Sequence, residues 1–113
     1  MLTIENLRKF GANTDEGVAR CLDSEEFYLE LVQSVLEDGD PSSLRQALEA
    51  KDTRNAFELA HALKGIYSNL SLTPLLTPTS ELTESLRKKE LPSDNAMIDT
   101  ILAQFQKLKA LSQ

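Results

Sequence analysis

The chain has 113 residues, 41% hydrophobic and 27% charged, with a formal net charge of -6. That length holds one domain with a real core and not two, and the balance is that of a globular chain, so residues 1–113 are read as a single domain. The acid excess, broken by no basic run longer than Arg87–Lys89, argues against a nucleic-acid surface, and no apolar run approaches the roughly 18 residues needed to span a bilayer, which predicts a cytoplasmic protein with a protein partner.

Four glycines, four prolines and an abundance of Leu, Ala, Glu and Lys favour helix almost throughout. Thr3 is placed to cap a first short helix ending near Gly11, and Asp15 a second running to about Leu22. Cys21, the only cysteine, excludes an internal disulfide framework and any multi-cysteine metal site, and reads as a small hydrophobe. Ser24 precedes EEFYLELVQSVLE, where Phe27, Leu31 and Val35, beside Tyr28, Val32 and Leu36, make a helical stripe that stops at Asp38-Gly39-Asp40. Asp40 reads as a cap with Pro41 at the first helical position of a short helix carrying Leu44, Ala47 and Leu48.

Asp52 then caps a helix from Thr53 to about Leu70, and Thr73 with Pro74 opens the next. Pro78 lacks a backbone donor, which predicts either a bend or a regular part beginning only at Thr77, and hence an irregular start before SELTESLRKK. Residues Leu91 to Ser93 connect to a last helix with Ile98, Ile101, Leu102, Phe105 and Leu108 on one face. The connections are short, so neighbouring helices should run antiparallel in an all-α domain.

The only histidine lies in the Asp52-capped helix, and its direction can be counted at about 100° per residue. With Leu59 set at about 0°, Ala56, Leu63, Ile66 and Leu70 fall within about 60° and form the inward stripe. His61 then lies near 200°, with Lys64, Phe57, Ser68, Arg54 and Gly65 between about 140° and 240°. The imidazole should therefore face solvent. One turn beyond it comes Gly65 and then Ser68, so a partner's backbone can approach closely. A mid-helix glycine costs about 0.5 to 1 kcal/mol relative to alanine and wants a compensating reason. Lys64 and Arg54 set positive charge beside the ring, where an anion held on it would be paired. Taken singly, an exposed histidine is usually incidental, a helical glycine is usually about packing, and Phe57 can equally lie beneath a neighbouring segment.

On these residues the chain resembles the histidine-containing phosphotransfer (HPt) domains of multistep phosphorelays. HALKGIYSNLS supplies His61, Leu63, Lys64, Gly65, Asn69 and Leu70 in register, preceded by Ala56, Phe57 and Ala60. Ser71 stands where glycine is common, Ser68 replaces another small residue, and Pro74 and Pro78 are unusual. The resemblance implies an up-and-down antiparallel four-helix bundle with additional short N-terminal helices. It implies His61 as phosphoacceptor, Lys64 as phosphate-stabilising, and Arg54, Phe57, Gly65 and Ser68 as docking residues. The partners would be receiver domains of a hybrid histidine kinase or a response regulator, with no nucleic acid and no membrane. The protein would hold no cofactor or metal of its own, Mg²⁺ being expected on the receiver. An imidazole of ordinary pKa, about 6.5, is largely neutral near pH 7 and can attack an acyl phosphate without a separate base.

Other chemistries find less support. A kinase needs a phosphate-cradling motif such as GxxxxGK[ST], which is missing, and no nucleophile elbow supports a hydrolase built on His61 with Cys21 or a serine. A lone histidine is also a poor metal site. The remaining alternative is a non-phosphorylated helical interaction module, which predicts a buried or blocked imidazole.

Overall fold

The computed structural model describes residues 1–113, which form seven helices and no strand. In chain order these are α1 (Ile4–Phe10), α2 (Thr14–Arg20), α3 (Glu25–Asp38), α4 (Ser42–Glu49), α5 (Thr53–Asn69), α6 (Thr73–Arg87) and α7 (Ala96–Leu111). The four long helices α3, α5, α6 and α7 make the bundle, and α1, α2 and α4 are short additions. The expected architecture therefore stands. The most extensive contact is between α5 and α6, followed by α6 with α7; α4 leans on α5, and α1 reaches α7.

Several caps fall where the sequence puts them. The Thr3 hydroxyl accepts from the Asn6 N–H at 3.0 Å, Ser24 Oγ from Phe27 N–H at 3.1 Å, and Asp52 Oδ1 from Asn55 N–H at 3.1 Å. Each satisfies one of the orphan donors at a helix start. The second helix departs from expectation. Its cap is Asn13, whose Oδ1 accepts from Glu16 N–H at 3.2 Å, and Asp15 sits inside the first turn, where a negative charge suits the helix dipole. It ends at Arg20 because Leu22 and Asp23 both turn left-handed, with φ of 59° and 57°. Asp40 Oδ1 accepts from Ser42 N–H at 2.9 Å, and Pro41 stands just before the first helical residue of α4 rather than at it.

Pro78 does not delay α6, which is helical from Thr73 onward. Pro74 lies in the first turn, where its missing N–H would have no helical partner anyway, so only Pro78 costs a bond. Opposing that loss is the buried series Leu75, Thr79, Leu82, Thr83 and Leu86, with the hydroxyls of Thr79 and Thr83 donating to the carbonyls of Leu75 and Thr79 at 2.7 Å each. Packing of this face outweighs one missing hydrogen bond, as most helical stability in proteins is tertiary.

The core runs the length of the bundle and includes two fully buried tyrosines. Tyr28 donates to the Leu70 carbonyl at 2.9 Å and Tyr67 to the Gly39 carbonyl at 2.6 Å, and no buried side-chain nitrogen or oxygen lacks a partner. In α5 the buried residues are Ala56, Ala60, Leu63 and Tyr67, while Leu59 and Ile66 are only partly covered. The inward stripe is thus rotated by about 50° from the one counted on Leu59. His61 remains outside it.

Candidate functional site

Helix α5 presents the outward residues together. His61, Gly65 and Arg54 are exposed, and Phe57, Lys64 and Ser68 are half-buried. The exposed ring is what a phosphoacceptor needs and the opposite of what a blocked interaction module predicts. His61 lies at the middle of a 17-residue helix, two turns from either end, so its backbone is held by helical hydrogen bonds on both sides. Its imidazole stacks on Phe57 one turn earlier, with ring centroids 5.7 Å apart and planes inclined by 19°. The stack steadies the ring without covering it.

Around this pair α6 adds charge. Glu84 Oε1 lies 4.0 Å from Lys64 Nζ and 3.4 Å from Arg87 Nε, and the Arg87 guanidinium carbon sits 5.2 Å from the Phe57 ring centroid. Arg54 pairs with Glu58 one turn along its own helix at 3.5 Å. Solvent-exposed pairs of this kind contribute about 0.2 to 1 kcal/mol each, so they hold the cations near the ring at little cost to release. At Gly65 the surface is open: a Cβ placed there would meet nothing within 4 Å.

The far end of α5 is fastened by α2. Arg20 donates to the Ser68 carbonyl and pairs with Glu16 at 2.7 Å, and the Ser71 hydroxyl donates to the same Glu16 carboxylate at 3.2 Å. Ser71 is buried with φ of 54°, in the left-handed region that glycine adopts most readily. A serine there replaces glycine's freedom with hydrogen bonds. Ser68 therefore presents its side chain to the outward face while its carbonyl is committed to Arg20.

Glu84 and Arg87 were not among the residues singled out from the sequence, although Arg87 was noted in a basic run. A signal for them exists. Helices α5 and α6 rise equally per residue from the turn around Ser71, so Phe57, fourteen residues before it, should face Ser85, fourteen after, and Arg87 lies within one turn. Cys21 is buried, and burial pushes its thiol up, away from the thiolate a nucleophile requires. No three His, Cys, Asp or Glu side chains gather to hold a metal ion, and no helix is long and apolar enough to cross a membrane. No curated protein and no solved structure matches the chain. The family model described as Hpt domain matches residues 28–111, from the first turn of α3 to the end of α7, with His61 inside the match.

Proposed function

The chain belongs to the Hpt domain family, and on that premise we propose that it is a phosphorelay carrier that takes a phosphoryl group on His61 from a receiver-domain aspartate and hands it to another. Phosphotransfer in two-component signalling is the family's role; the assignment to these residues is our reading. It is carried by the exposure of His61 in mid-helix beside the open surface at Gly65.

In this reading an imidazole nitrogen, Nε2, attacks the phosphorus of an aspartyl phosphate. The N–P bond forms as the P–O bond breaks, and the carboxylate leaves with that electron pair. The proton on Nδ1 stays in place, so no base is required. Positioning and charge neutralisation supply most of the rate in such transfers. The stack on Phe57 supplies the first. Lys64 supplies the second by exchanging its 4.0 Å partner Glu84 for a phosphoryl oxygen, since a weak exposed pair yields readily to a doubly charged group on the neighbouring ring. Mg²⁺ belongs to the receiver in this scheme, and Arg54, Phe57, Gly65 and Ser68 meet the receiver's surface. The protein is a carrier rather than a catalyst of its own.

Incubation with phosphorylated receiver domains and Mg²⁺ tests this directly. Acid-labile, alkali-stable phosphate should appear on the wild type and vanish in His61→Gln, whose circular dichroism and melting temperature should be unchanged. Label that persists in the variant, or no transfer from any receiver to a folded wild type, returns the chain to a helical docking module.

A further inference from the structure

Beside Phe57, on the side toward the start of α5, a cavity of about 470 Å³ opens between that helix and the end of α6. Its lining is Thr53, Arg54, Phe57, Leu86, Arg87 and Lys89. Leu86 is buried and Phe57 half-buried, so the floor is apolar, while three cations form the rim of a pocket on a protein of net charge -6. Arg54 and Arg87 pair weakly with Glu58 and Glu84, and Arg87 also lies over the Phe57 ring. Lys89 makes no ion pair, and its left-handed backbone, φ 60°, turns the chain out of α6 at the rim.

The cavity adjoins the transfer site through a single ring, Phe57, which also stacks on His61 at 5.7 Å between centroids. A specific interface covers about 800 Å² on each partner, a disc of roughly 16 Å radius. Any receiver that brings an aspartate onto His61 therefore covers the cavity too. An apolar floor with a cationic rim accepts one kind of group and repels another, and charge at an interface rim governs encounter and partner choice more than final affinity.

We propose that this cavity receives a carboxylate side chain with an apolar neighbour from the receiver docked over His61, and so selects among receivers by charge. The inference rests on the relay reading and adds a specificity site to it. The variant Thr53→Glu with Lys89→Glu puts two carboxylates on the rim and brings its formal charge from +3 to zero without touching His61, Lys64 or Gly65, and a glutamate in the first turn of α5 suits that helix.

Two donors separate the possibilities: a panel of receiver domains charged with acetyl phosphate and Mg²⁺, and phosphoramidate, which modifies an exposed imidazole with no docked protein. Transfer from receivers that serve the wild type should fall about tenfold or more and lose its dependence on NaCl, while labelling by phosphoramidate stays at the wild-type rate. Reversal of one acidic residue on the receiver to lysine should restore the rate. Unchanged receiver transfer in the variant, or a loss that no such reversal restores, overturns the proposal. If phosphoramidate labels His61 in the wild type but no receiver does, the relay reading fails first and the proposal with it. A second copy is the competing occupant, since residues 21–44 hold seven acids and no Lys or Arg. A dimer in sedimentation equilibrium that the variant dissolves, with receiver transfer intact, assigns the cavity to that contact and likewise overturns the proposal.

Discussion

Gly17 and Gly65 both lie inside helices, yet they are glycines for opposite reasons. At Gly17 a Cβ would fall 2.9 Å from Cζ of Tyr28 and 3.0 Å from the Leu70 carbonyl oxygen, so the interior itself forbids a side chain. At Gly65 a Cβ would meet nothing within 4 Å. The first residue is explained by what the molecule contains. The second is not: no packing in the molecule compensates the propensity cost of that glycine, and in the proposed relay the open surface is where the receiver approaches.

The contrast breaks most sharply at the first site. Gly17→Ala should lower the unfolding free energy in urea by about 1 to 3 kcal/mol, the usual cost of overpacking. Tyr28 cannot retreat, since its hydroxyl is tied to the Leu70 carbonyl. A variant as stable as the wild type would show that the ring does yield, and would remove the distinction between the two glycines.

Tyr28 itself sharpens the comparison through pH. Burial, with a further contribution from the nearby Cys21, pushes its phenol up from 10.0 to about 12. A raised pKa in the folded state means stability that is fully present below about pH 10 and lost as pH rises through about 12. Tyr28→Phe should cost about 1 kcal/mol at pH 7 by leaving the Leu70 carbonyl short of a donor, and should flatten the alkaline fall in stability. Urea melts at pH 7 and pH 11 measure both; equal slopes against pH in the two proteins would contradict the assignment to Tyr28.

Gly65→Ala carries the smallest change in stability and the most informative sign. Alanine should raise stability by about 0.5 to 1 kcal/mol, because helix propensity improves and no contact is strained. Transfer from a phosphorylated receiver should nevertheless slow by roughly three- to tenfold, since one methyl group intrudes where the partner must approach. A variant that is stabilised and also fully active would leave the glycine without a functional account.

Much of this was legible in the sequence because it depends on local rules. The caps at Thr3, Ser24 and Asp52 and the apolar period of α7 follow from residue type and spacing, and so does the outward direction of His61. What escaped depends on partners far along the chain. Tyr67 is buried because the Gly39 carbonyl, 28 residues away, takes its hydroxyl. Pro78 is tolerated because neighbouring helices hold the far face of α6, which no local reading of a proline can foresee. The site divides in the same way. His61, Lys64 and Gly65 share one helix and could be counted, whereas Glu84 and Arg87 come from α6 and join them only once the helix pair has closed.

That closure spans only the three residues Leu70 to Leu72 between α5 and α6. In entropic terms the ring, its cations and the open glycine surface are brought together by one of the smallest loop closures the chain can make, and the cost of closure grows with loop length. The contact of α1 with α7, by contrast, closes nearly the whole chain. Contacts of such different sequence separation are not made at the same moment in folding, and the local hairpin is the one whose closure is least opposed. The proposed chemistry is thus gathered by the most local helix pair of the bundle.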